Sequence, residues 1–196
     1  MSGKKQFDVG LALDAAMVEF WRGGYADTSL DDLSRATGLN RSSLYSSFGD
    51  KDSLFLRCLD RYATRYGDAY EQALSRASEE PLQAVRAFFE VTLKRIADPD
   101  VPDGCLIAQT AMAAPVLSPA IAARAIEALG LQRARLRTAL SAAQLTEREA
   151  EDFALHMAAV NQSLAVLSRT GASEKQLRTV IDISMSALSH ALGARS

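Results

Sequence analysis

Residues 28–51, TSLDDLSRATGLNRSSLYSSFGDK, carry two helix-start signals with a glycine between them. Thr28 with Asp31 three residues on reads as a weak capping box, so a helix is expected from Ser29, with Leu30 and Leu33 turned inward. Gly38 supplies the backbone freedom that a helix end and a sharp turn need. Asn40 is a strong N-cap for a second helix over 41–47. Leu39, Leu44 and Phe48 are expected to face the first helix. Arg41, Ser42, Tyr45 and Ser46 then share the far face, because positions i, i+1, i+4 and i+5 lie on one side of a helix. Two short helices crossing through such a turn, the second with polar side chains near its N-terminus, can set a helix in the DNA major groove; the same shape also serves as a plain structural hairpin.

The flanking residues hold an aromatic and a Gly-Tyr pair ahead of the hairpin and a lysine behind it: Phe20, Gly24-Tyr25, Thr28-Ser29, Gly38-Leu39, Leu44-Tyr45, Phe48 and Lys51. Over roughly residues 11–56 this wording closely resembles the DNA-binding segment of TetR/AcrR-type bacterial transcriptional regulators. The resemblance implies an all-α fold of about nine helices. An N-terminal three-helix helix-turn-helix DNA-binding domain would occupy 1–49, and a C-terminal helical ligand-binding and dimerisation domain 50–196.

Charge limits what such a domain can do. The chain has a formal net charge of −2, and within residues 1–60 seven basic side chains face nine acidic ones. A general nucleic-acid coating protein would be basic throughout. Non-specific binding should therefore be weak, and affinity should rest on two copies of the reading helix and on particular contacts. An apolar content of 48% over 196 residues is ample for a core. No stretch approaches the roughly 20 apolar residues of a membrane span, and the N-terminus has no apolar signal core, so a cytoplasmic protein is expected. Cys58 and Cys105 form no CxxC pair and no ligand cluster with His156 and His190; neither disulfide, metal nor other cofactor is expected.

In chain order, Lys4 and Lys5 are either an arm for DNA phosphate or a frayed terminus. A first helix over Asp8 to Arg22 would bury Leu13, Ala16, Met17 and Phe20, with Trp21 as a packing residue. Asp50 caps a fourth helix over 51–76, with Lys51 in its first turn. A cation there opposes the helix dipole, so phosphate contact is a reason for it, one the resemblance supports. Pro81 opens a fifth helix to 97 that buries Leu82, Val85, Phe88, Phe89, Leu93 and Ile96. DPDVPDG breaks the chain before a short helix at CLIAQTAMAA, and its Gly-Cys-Leu start resembles one subgroup of these regulators. Ser118 and Pro119 open a seventh helix over 119–143. Thr146 with Glu149 opens the eighth, and Ser173 with Gln176 the ninth.

Helices eight and nine are apolar on more than one side. Phe153, Met157, Val160 and Leu164 recur at helical spacing on one, Ile181 and Leu188 on the other. Ala154, Ala158, Ala165 and Ser168 form a second stripe, and Val180, Ile183, Ala187 and Ala191 another. Burial twice over points to a two-fold four-helix interface, with Phe153, Met157, Val160, Leu164, Ile181 and Leu188 as its contacts; burial in one larger core is the rival.

No P-loop, GxGxxG, HExxH or GxSxG pattern supports an enzyme. The expected function is a ligand-responsive repressor, binding a near-palindromic operator on double-stranded DNA as a homodimer. Arg41 is the candidate for base contact, Ser42 and Ser46 for bases or phosphates, and Tyr45, Lys51, Thr28 and Ser29 for phosphates. The resemblance implies a small-molecule effector in the C-terminal half that shifts the fourth helix. Tyr66, Tyr70, Phe88, Phe89, Cys105, Ile107, Met112 and Leu117 are its candidate lining, implying a mostly apolar or aromatic ligand. One alternative is a thiol sensor through Cys105, placed at a helix N-terminus but beside Asp100 and Asp103. Another is a helical small-molecule binder without DNA function.

Overall fold

The computed structural model describes residues 8–143 and 145–193. Lys4 and Lys5, the candidate arm, lie outside them. Among the described residues the regular elements are all helical: α1 Val9–Gly23, α2 Leu30–Thr37, α3 Arg41–Phe48, α4 Lys51–Leu74, α5 Pro81–Ile96, α6 Leu106–Met112, α7 Pro119–Ser141, α8 Glu147–Arg169 and α9 Glu174–Gly193. A 3-10 turn at Ala114–Val116 joins α6 to α7.

Local chemistry starts most of these helices. The Asp8 carboxylate accepts from the backbone N–H groups of Gly10 and Leu11, Asn40 from Ser43 and Asp50 from Ser53. Thr146 and Glu149 close a reciprocal box at α8, and Ser173 and Gln176 make the same exchange before α9. Each such cap satisfies donors the helix cannot. Gly38 ends α2 in the left-handed region at φ 69°, where a Cβ would be strained.

Two starts differ from expectation. The cap of α2 is Ser29, whose hydroxyl accepts from Asp32 N while the Asp32 carboxylate takes the Ser29 backbone N–H. Thr28 is buried, and its hydroxyl donates to the Gly24 carbonyl at 2.6 Å, so it has no part in the box. Ser118 occupies the cap position of α7, yet its hydroxyl makes no cap bond and is buried without a partner.

α4 ties the molecule together. At 24 residues it is about 36 Å long. Its first half enters a core with Phe20, Trp21, Leu33, Leu44 and Phe48, which Leu106, Ile107 and Ile121 from α6 and α7 seal. Its second half, through Tyr70 and Leu74, enters a second core with Phe88, Phe89, Leu136, Met157, Leu164, Ile181 and Leu188. Aromatic rings carry the first core: Phe20 against Phe55 at 4.7 Å, and Trp21 edge-on to Tyr62 at 5.0 Å.

The second core corrects the expected interface. Met157, Leu164 and Leu188 are fully buried within the protomer, Val160 and Ile181 nearly so, and Phe153 packs half-buried against the same core. α5, α7 and the α8–α9 contact absorb these side chains, leaving only the half-buried Phe153 with surface for a second copy.

Candidate DNA-reading surface and effector cavity

The α3 cap and the Gly38 turn present one exposed polar face. Arg41, Ser42, Tyr45 and Ser46 are all solvent-exposed, while Leu44 and Phe48 are buried behind them. Arg41 is not idle there. Its Nε and Nη2 grip the Asp31 carboxylate of α2 at 3.0 and 2.8 Å. Both side chains remain more than half exposed, so the pair is worth at most about 1 kcal/mol and yields readily to a stronger anion or a base edge. Ser46 donates to the Ser43 carbonyl at 3.1 Å. Arg57 of α4 donates to the Ser47 carbonyl at 3.0 Å and lies over the Phe48 ring, placing a cation at the C-terminal end of α3.

Beside this face, the Lys51 ammonium sits 4.4 Å from the centre of the Tyr25 ring. Partial burial lowers its pKa, against the pull of Asp52 and Asp27. The Tyr25 hydroxyl donates to Asp52; burial, then that carboxylate, pushes the phenol up to about 12. Tyr25 is thus a neutral platform that aims the lysine. Ser29 is exposed at the α2 N-terminus, where backbone N–H groups can also meet a phosphate. Thr28, expected beside it, is 3% exposed with its hydroxyl engaged, and drops out of the contact set.

α1 carries the hairpin, and its C-terminal end is clamped from the other half of the chain. Gln109 of α6 donates to the Trp21 carbonyl at 3.0 Å, and Arg169 of α8 to the Arg22 carbonyl at 3.2 Å. Arg169 also donates to the Gln109 side-chain oxygen. The last carbonyls of a helix need outside donors, and a cation there suits the dipole.

Two cavities flank this clamp. One, of about 220 Å³, is walled by α4, α5, α6 and α7 and lined by Tyr62, Tyr66, Tyr70, Arg95, Cys105 and Ile107 among others. The second, about 380 Å³, opens between the end of α1, α6 and α8, with Cys105, Met112 and Leu117 on its wall. The expected lining residues are therefore divided. Tyr66, Tyr70 and Ile107 face the first cavity, Met112 and Leu117 the second, and Cys105 both. Phe88 and Phe89 face neither, being fully buried in the second core. Behind the first cavity, the Tyr70 hydroxyl bonds Thr92 at 2.7 Å and the Thr92 hydroxyl donates to Asn161 at 2.5 Å, a satisfied polar link between α4, α5 and α8. The Tyr62 hydroxyl donates to the Cys105 sulfur at 3.3 Å.

On α8 and α9 the stripes facing away from the core carry Leu155, Ala159 and Val166, and Ile183 and Ala187. Leu155, Val166 and Ile183 are 54, 50 and 69% exposed, large apolar side chains left open to water. Among the described residues no group of three or more His, Cys, Asp or Glu side chains could hold a metal ion, and no helix is long and apolar enough to cross a membrane.

Two sequence profiles match this architecture: bacterial regulatory proteins of the tetR family over residues 12–58, and the C-terminal domain of LmrA/YxaF-like transcriptional regulators over 81–183. The HTH-type transcriptional regulator YezE of Bacillus subtilis is 30% identical over 195 residues, 96% of this chain and 100% of that one. This chain belongs to the TetR family. The HTH-type transcriptional repressor ComR of Escherichia coli is 38% identical over 103 residues, 53% of this chain but only 49% of its own length. Among solved structures, a CifR cysteine mutant in complex with 26-bp operator DNA superposes with a TM-score of 0.80 at 28% identity, covering 93% of this chain and 98% of that one. A TetR regulator from Chloroflexus aurantiacus, TM-score 0.81 at 22% identity over 92% and 93% of the two chains, shares the fold. As a TetR-family member the chain is a transcriptional regulator and not an enzyme.

Sequence reasoning on this TetR-family chain missed the Asp31 grip on Arg41, the Tyr25 platform, the clamp by Gln109 and Arg169, and Arg95 in the cavity. None left a distinctive trace in the sequence: Arg95 stands beside Lys94 between Leu93 and Ile96, and a pair of cations in a last turn is ordinary.

Proposed function

We propose that this chain is a repressor that binds a near-palindromic operator as a homodimer and is released by a small effector. The observation that supports it best is the single exposed face of α3, on which Arg41, Ser42, Tyr45 and Ser46 stand together ahead of a buried Leu44 and Phe48. Arg41 exchanges the Asp31 carboxylate for a guanine edge, which its fork fits in the same bidentate manner. Ser42 and Ser46 contact bases or phosphates; Tyr45, Ser29 and Lys51 position the backbone. Residues up to about 49 act as the reading head and the rest of the chain as the effector-binding and pairing body. The pairing surface is the exposed stripe of Leu155, Ala159, Val166, Ile183 and Ala187. It sets the two heads about 34–36 Å apart, one helical turn of DNA. The operator-bound CifR structures support the DNA reading by kinship.

A mobility-shift titration on the DNA upstream of the gene, with sedimentation of the free protein, tests this. The expected outcome is one retarded species containing two chains at nanomolar protein. A monomer in solution that retards all DNA equally would refute it. A second reading, covalent sensing through Cys105, is favoured by the position of this half-buried thiol on the walls of both cavities. If Cys105→Ser leaves the response to alkylating agents intact, that reading falls.

A further inference from the structure

We propose that the cavity between α4, α5, α6 and α7 receives a compact aromatic or apolar carboxylate, with Arg95 as the group that binds its charge. This rests on the effector-binding reading above and gives it a chemical class.

Arg95 is 4% exposed. Its Nη1 donates to the Gly104 carbonyl, but its Nε is buried with no acceptor, and among the described residues no carboxylate pairs with it. The guanidinium lies instead between rings, 5.7 Å from the centre of Trp21 and 5.6 Å from that of Tyr66. The indole N–H of Trp21 is likewise buried without an acceptor. A guanidinium stays charged throughout the accessible pH range, and buried charges are ordinarily paired, so a cluster rich in donors and short of an anion needs a cause.

The neighbouring arginines show what is missing. Arg124 and Arg135 line the same cavity, and each faces its own carboxylate, Asp60 at 2.5 Å and Glu71 at 3.6 Å. Among the described residues, Arg95 alone of the three lacks one. The acidic residue on the lining, Asp68, is exposed at the rim and forms no ion pair with Arg95. A planar carboxylate matches the guanidinium fork. The volume of about 220 Å³ lies below the roughly 300–1,000 Å³ of drug-sized sites, which limits the ligand to about one ring. Tyr62, Tyr66, Ile107 and Leu129 supply its apolar walls. An anion that takes Arg95 competes with its hold on Trp21 of α1 and on Gly104 before α6, so occupancy is felt by the helix that carries the reading head.

Trp21 is the only tryptophan, which makes it the reporter. The full-length protein is titrated with benzoate and phenylacetate and with their neutral isosteres, benzamide and phenylacetamide, following Trp21 fluorescence. The acids are expected to saturate and to bind about tenfold more tightly than the amides, the weight of a charge-assisted over a neutral hydrogen bond. Arg95→Gln should abolish that preference and Arg95→Lys should keep part of it. The proposal is overturned if no acid saturates by about 10 mM, if amides bind as well as acids, or if Arg95→Gln retains the preference. Should circular dichroism show Arg95→Gln unfolded, the acid-to-amide ratios of the wild type and of Arg95→Lys decide. Acid binding that leaves operator affinity unchanged supports the site and counts against the effector reading. Operator release by amides as readily as by acids overturns the site and leaves the regulator reading intact.

Discussion

The reading face of α3 and the cavity under α5 each present an arginine, and the two are in opposite states. Arg41 stands in water yet is chelated by Asp31; Arg95 is buried in protein yet pairs with no carboxylate among the described residues. In water a charge needs no partner, so the Asp31 grip contributes little stability; under the proposed reading it is a placeholder that a guanine edge would displace. In the interior a charge does need one, so the unpartnered Nε of Arg95 is the more informative of the two.

The largest effect expected from breaking this arrangement is on assembly, since the proposed operator takes two copies of α3. Ile183→Glu places a charge on the most exposed apolar side chain of α9 and should dissociate the pair, lowering operator affinity by about 100-fold or more in a mobility shift. Next comes Arg41→Ala, with an expected loss of about 1–3 kcal/mol confined to one base position when single substitutions of the operator are compared. Asp31→Asn sharpens the same point: freed of its carboxylate, Arg41 should gain affinity for all DNA and lose selectivity. A smaller effect is expected of Lys51→Ala, which should weaken every sequence alike and reduce the salt slope by about one ion. Equal changes at every operator position for Arg41→Ala and Lys51→Ala would remove the division of roles.

The smallest effect concerns a third, fully paired site. Asp14 of α1 accepts from Arg61 and Arg65 of α4, each at 2.6 Å, and the Arg61 hydrogen bond first, opposed by desolvation, holds its carboxyl below the ordinary value. A folded-state pKa below the unfolded one contributes stability above about pH 4 that is lost on acidification through the folded value. Asp14→Asn should therefore melt below the wild type at pH 7, and the gap should close as the pH falls below about 4.

The fold was legible wherever local chemistry decides it. Asn40, Asp50, Thr146 and Ser173 cap helices because their side chains reach backbone donors three residues on, a fact that needs no distant partner. Thr28 and Ser29 show the limit of that reasoning. Both carry a hydroxyl with an aspartate three residues later, and the choice between them was settled by the burial of Thr28 against Gly24. On α8 and α9 the sequence shows two apolar stripes per helix but not which one looks inward; that depends on α5 and α7. On α8 both named stripes went inward, Met157 and Leu164 with Ala154, Ala158 and Ala165, and the exposed Leu155 and Val166 belong to neither; on α9 Leu188 went inward and Ile183 stayed out. Arg95 was illegible for the same reason, since a charge in a last turn becomes remarkable only once the rings around it are known.

The end of α1 is fastened from outside its own segment. Its final carbonyls take hydrogen bonds from Gln109 and Arg169. A rigid unit joined to its base by α4 alone could swivel about that one axis; the added fastening removes the freedom. Moving α6 must then either drag α1 along or strip the Trp21 carbonyl of its Gln109 donor, at a cost of about 1–3 kcal/mol if that oxygen stays dry. The tilt of α1 is thereby geared to the position of a seven-residue helix that walls both cavities.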